Sequence, residues 1–157
     1  MICFETGFAV LLNIETWKNW VPIISLFVAI GALGVAYWQV QVGRNTSASA
    51  QAHGIYQQYL TLCIAHPKFA SGGYVPKNVN DDEYAKYTWF FSSMLFAFEQ
   101  ILEAKPNDEK WGETVKHQLE KHKVHLLKSR TAASNQWHES LEKIINEIKE
   151  TNLSPIN

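Results

Sequence analysis

Charge is missing from eighteen consecutive positions of this 157-residue chain, residues 21–38, which read VPIISLFVAIGALGVAYW. Cysteine is scarce. Cys3 and Cys63 are the only two and lie far apart, so no disulfide framework is implied, which suits a reducing cytoplasm. With a formal net charge of -1, the chain also lacks the global basic footprint of a protein that binds long nucleic acid. No P-loop, Rossmann glycine pattern, nucleophile elbow or HExxH motif occurs. His117, His122 and His125 do not share one helical face, and neither cysteine nor a converging carboxylate completes a tetrahedral set, so no metal is expected. Asp81-Asp82 reads as a helix start, and Glu99 with Glu103 as exposed charges. No catalytic constellation is left, so the expectation is a non-enzyme without a cofactor.

The uncharged run is a transmembrane helix candidate. Eighteen residues at 1.5 Å rise reach ~27 Å, close to the hydrocarbon thickness of a bilayer. Trp17 and Trp20 stand at its entry and Tyr37 and Trp38 at its exit, where amphipathic rings favour the headgroup layer. A buried core helix rarely runs this far without a charge, and a signal peptide would carry Lys or Arg before the apolar run, where MICFE has none. No lipobox precedes Cys3 and no glycine follows Met1, so lipid anchoring is not expected. Before the run, Phe4, Phe8, Leu11 and Leu12 recur at helical spacing, as in an arm lying in the interface plane. The expected organisation is all-α: residues 1–44 as arm plus one crossing at about 20–40, then a soluble helical domain over 45–157.

In that domain, Ile55, Tyr56, Tyr59, Leu60, Leu62 and Cys63 supply a core face, and Pro67 ends their helix. Residues 68–80, with Gly72-Gly73 and Pro76, form a loop. Asp81 or Asp82 caps a central helix to about Ala104, with core spacing at Tyr84, Tyr87, Phe91, Met94, Phe98 and Leu102. The Pro106-Asn107-Asp108 signal starts a third helix to about Lys128, with Trp111, Val115, Leu119, His122 and Leu126 inward and His117, Lys121, His125 and Lys128 outward. Ser129 to Ser134 is a turn. Ser134 or Asn135 then caps a last helix with Trp137, Leu141, Ile144, Ile145 and Ile148 inward.

Two patterns bear on function. Ser25, Ala29, Ala32 and Ala36 form a heptad seam of small residues, which allows close helix approach in lipid, and Gln39, Gly43, Thr46, Ala50, His53 and Gln57 continue it. If the helix runs unbroken through Gly43-Arg44-Asn45-Thr46-Ser47, which favour caps and turns, the seam faces a shared axis in a homo-oligomer, with His53 and Gln57 in rings around it. Between residues 116 and 130, Lys116, Lys121, Lys123, Lys128 and Arg130 face one acid, Glu120. A helix N-terminus beside Lys128 and Arg130 can hold a phosphate, since free N–H groups and the helix dipole favour an anion.

With residues 21–38 for the membrane part and His53, Lys128, Arg130 and Thr131 for the ligand part, the chain resembles the membrane-bound effectors of type III CRISPR antiviral defence. The resemblance implies a single-pass protein of the bacterial inner membrane whose cytoplasmic domain binds cyclic tetra-adenylate, a cyclic oligoadenylate, as a homotetramer. Ligand binding would rearrange the membrane helices and depolarise or permeabilise the bilayer. It also implies that His53, Lys128, Arg130 and Thr131 contact the ligand, with Arg130 suited to bidentate phosphate pairing. The chain further resembles bacterial one-pass proteins whose helical domain docks a protein partner, a reading that calls for an exposed apolar patch and no nucleotide.

Overall fold

In the computed structural model, residues 14–72, 74, 82–134 and 136–153 are described. Among them are six helices and no strand: α1 (Ile14–Ala65), α2 (Pro67–Ala70), α3 (Asp82–Ala104), α4 (Glu109–Lys121), α5 (Lys123–Leu126) and α6 (Glu139–Leu153). The expected interfacial arm lies almost wholly outside the described residues, as do Asp81 and Asn135. Packing divides the chain into two compact units, Met1–Asn45 and Thr46–Asn157.

The described part of the first unit is the apolar part of α1. This helix is long and apolar enough to cross a membrane, and none of its apolar window is buried within the fold. Leu26, Phe27, Val28, Ile30 and Leu33 are all exposed, an uncovered apolar surface that is costly in water and at ease in lipid. Pro22 lies inside the helix, where it removes one backbone donor. The weak helix formers at 43–47 do not interrupt α1, so the break considered for that stretch is absent.

The second unit is built on α3. Tyr87, Phe91, Met94, Leu95, Phe98 and Ile101 are completely buried, because this helix is apolar on most sides and its neighbours cover them. From α1, Ala52 and Tyr59 face this core, and the Tyr59 and Phe98 rings meet edge to face at 4.9 Å. Val115 and Leu119 of α4 and Leu141, Ile145 and Ile148 of α6 close the other sides. Leu60, expected inward, is 42% exposed, since it lies roughly a quarter-turn around α1 from Ala52 and Tyr59.

Pro67 does end the preceding helix: α1 stops at Ala65, and the proline occupies the first turn of α2. The helix start expected at Pro106-Asn107-Asp108 is present: α4 begins at Glu109, and Asp108 caps it, its Oδ1 accepting from the backbone N–H of Lys110 and Trp111. The helix expected to reach Lys128 instead stops at Lys121. At His122 (φ -102°, ψ 14°) the chain leaves α-geometry, and α5 restarts one residue later. There Gly72, at φ +77°, presses its backbone against the Lys121 carbonyl, so close that a Cβ would lie 2.1 Å from the oxygen. The break re-aims the next turn, so His125, expected outward, is buried with His122.

Candidate functional site

Each residue expected to touch a ligand can be placed. His53 is exposed on α1, and its Nδ1–H donates to the Ser49 carbonyl at 2.8 Å. Its ring stands edge to face with Trp111, 5.2 Å away, in the first turn of α4. Lys128 and Arg130 are exposed in the stretch after α5, and Thr131 is half-buried. The Thr131 carbonyl accepts from Trp137 Nε1 at 2.8 Å and from Ser134 Oγ at 2.9 Å, which ties the turn down. Lys128, Arg130 and Thr131 therefore form one cluster, and His53 is not part of it. His53 packs beside the start of α4, whereas the cluster follows its far end, and no hydrogen bond, ion pair or ring contact among the described residues links them.

The helix N-terminus expected beside Arg130, at Ser134 or Asn135, lies further along the chain. The last helix begins at Glu139, with His138 as its cap: Nδ1 accepts from Ser140 N–H, and the carbonyl accepts from the Leu141 and Glu142 N–H groups. Ser134 instead closes the preceding turn. The His138 N–H donates to Glu99 Oε1 at 2.8 Å, so Glu99, read from sequence as an exposed charge, is half-buried and structural. With Glu99 beside it and Glu139 and Glu142 in its first turn, this helix start already holds its negative charge.

A groove of about 810 Å³ runs between α4 and α6. Its walls carry Asp108, Glu109, Glu113, Glu139 and Glu147 against Lys116 and Lys143, so it repels polyanions. The Lys116–Glu147 ion pair, 2.8 Å long, crosses it; that contact raises the lysine pKa and lowers that of the carboxylate. Cationic character instead gathers on the surface from Lys121 through Lys123 and Lys128 to Arg130, all exposed. Lys121 donates to Gln118, and none of the four pairs with a carboxylate among the described residues.

Beneath that surface lies a group of residues whose partnership the sequence did not disclose. Tyr87 and His122 share a 2.9 Å hydrogen bond between the hydroxyl and Nδ1, both side chains fully buried. Burial, with His125 and Lys121 nearby, holds the His122 pKa down to about 4. Burial also lowers His125 and, together with Tyr84, pushes Tyr87 up to about 12. The signal available in the sequence was the i, i+3 pair of histidines at the end of an amphipathic helix, but its inward turn depends on the break at His122. Among the described residues no group of three or more His, Cys, Asp or Glu side chains could hold a metal ion.

Comparison of the chain with protein-family models, curated proteins and solved structures finds no match.

Proposed function

We propose that this protein is a membrane-anchored effector whose helical domain binds a cyclic oligoadenylate, cyclic tetra-adenylate by its resemblance to the CRISPR effectors, and passes the event to its membrane helix. In this reading it is a single-pass protein of the bacterial inner membrane with residues 45–157 in the cytoplasm, and it acts in antiviral defence without catalysis. The observation that carries the proposal is the exposed cation set Lys121, Lys123, Lys128 and Arg130, unpaired with carboxylates among the described residues, in a chain whose α1 is long and apolar enough to cross a membrane. Polyphosphate ligands call for such a set, and a guanidinium offers them paired donors.

Because His53 stands apart from Lys128, Arg130 and Thr131, a ligand touching all four draws on more than one copy of the chain. A cyclic ligand with four phosphates matches a four-fold arrangement of subunits, in which His53 of one copy approaches the cation cluster of the next. The test is a titration of the full chain in detergent micelles with cyclic tetra-adenylate at several salt concentrations. Arg130→Ala is expected to weaken binding about tenfold and to flatten its salt dependence. Unchanged affinity and salt slope would remove Arg130 from the site.

A second reading rests on its own observation. Trp89 and Phe96 on the outer face of α3 are 75% and 55% exposed, and a 310 Å³ groove beside Phe96 is lined by Ile55, Tyr59 and Leu62. An apolar surface of that kind suits a membrane-anchored module that docks a protein. In that case cyclic tetra-adenylate would not bind, and Trp89→Ala would abolish capture of a partner from solubilised membranes.

A further inference from the structure

The buried histidines have no part in the proposed ligand binding, and the surroundings of both lack what a charged imidazole needs. Neither Nε2 has a hydrogen-bond partner among the described residues. The His125 ring meets Phe91 at 4.7 Å, Tyr87 at 4.9 Å and Tyr84 at 5.9 Å, and the His122 ring lies about 6 Å from Tyr87, Phe90 and Phe91. From the other side Phe69 of α2 and Tyr74 pack against Tyr87, and His66 stacks on Phe69. The titratable groups on these segments are thus Tyr74, Tyr84, Tyr87 and His66. The charged ones are Lys68 of α2, Asp82, Glu83 and Lys86 at the start of α3, and Glu120, Lys121, Lys123 and Lys128 on the segment that carries the histidines; Glu83 accepts from Lys68 at 2.6 Å and from the Tyr74 hydroxyl at 3.4 Å. No carboxylate among the described residues bonds either imidazole.

Protonation would give each ring a charge and a second N–H inside a box of aromatic side chains. Burying that charge unpaired is costly, and opening the box to water is the alternative. The covering segments are suited to opening, since α2 and α5 have four residues each and few hydrogen bonds to give up. We propose that the His122–His125 corner is an acid-operated latch: when both imidazoles take up protons, residues 66–72 and 119–129 release from α3 while α6 stays packed. The released segment carries Lys121, Lys123 and Lys128, so acidification also loosens the cationic surface. Burial lowers both histidines from their ordinary range, in agreement with the geometry. The latch does not depend on the ligand reading.

The test is hydrogen exchange of the full chain in lipid nanodiscs at pH 7 and pH 5, corrected for the intrinsic pH dependence of exchange. Peptides from 66–72 and 119–129 are expected to lose protection about tenfold or more at pH 5 while those from 141–150 keep theirs. In the double variant His122→Phe with His125→Phe the loss is expected to vanish. No loss in the wild-type chain, or an equal loss in a folded double variant, would overturn the latch. Histidine-selective NMR on the wild-type chain decides the matter if that variant does not fold. The two imidazoles should stay neutral well below pH 6.5 in the closed form while protection of 66–72 and 119–129 falls, and ordinary titration near pH 6.5 with protection intact would overturn it.

Discussion

At Gly72 a positive φ and a neighbour too close for any side chain coincide. A Cβ would lie 2.1 Å from the Lys121 carbonyl oxygen, which is backbone and cannot swing aside. Gly72→Ala is therefore expected to destabilise the domain by about 1–3 kcal/mol and to lower its Tm, as thermal unfolding would report. A neutral effect would mean that the contact with α4 is not formed. The acid behaviour of His122 belongs to the same scale. Its pKa is about 4 in the fold against an ordinary 6.5, so between those values the unfolded chain binds more protons. The stabilising contribution of the neutral ring is complete above pH 6.5 and is lost as the pH falls towards 4. The difference amounts to about 3 kcal/mol.

The elements differ in how openly the sequence declares them, and locality is the reason. The α3 core spacing is plain because Tyr87, Phe91, Met94, Phe98 and Leu102 repeat with the helix period, and burial follows that period. Asp108 acts as a cap through its own neighbours, Lys110 and Trp111, and so is legible from a few residues. The start of α6 is not local. Ser134 is a good capping residue, yet the Trp137 indole reaches back to the Thr131 carbonyl and Glu99 draws in the His138 N–H from α3, which places the start at Glu139. The inward turn of His125 likewise depends on a break tied to Gly72, fifty positions before His122 in sequence. Of the candidate site, the cations were visible as a run of charge; the separation of His53 from them was not, because it depends on which end of α4 meets α1.

For α1 the decisive property is its uncharged length. Leu33, near the middle of residues 21–38, is 72% exposed, as a lipid-facing side chain would be. Leu33→Arg is expected to cost roughly 3 kcal/mol of insertion. Alkaline carbonate extraction of cell membranes should then shift the chain from pellet to supernatant or to aggregates. Retention of the variant in the pellet at the wild-type level would argue that residues 21–38 do not supply the anchor.

At the scale of the whole molecule, an apolar helix able to cross a membrane is joined in one chain to a helical domain with an exposed cationic surface. For a ligand to act on the membrane, it must bind one arrangement of the helices better than another, since equal affinity shifts no population. The full chain reconstituted in liposomes loaded with a fluorescent dye, with or without cyclic tetra-adenylate and with linear tetra-adenylate as control, tests that coupling directly. The bilayer is expected to stay tight with the protein alone and with the linear control, and to leak when the cyclic ligand is added. Tight liposomes under all three conditions, or an equal leak without ligand, would contradict a ligand-gated membrane effector.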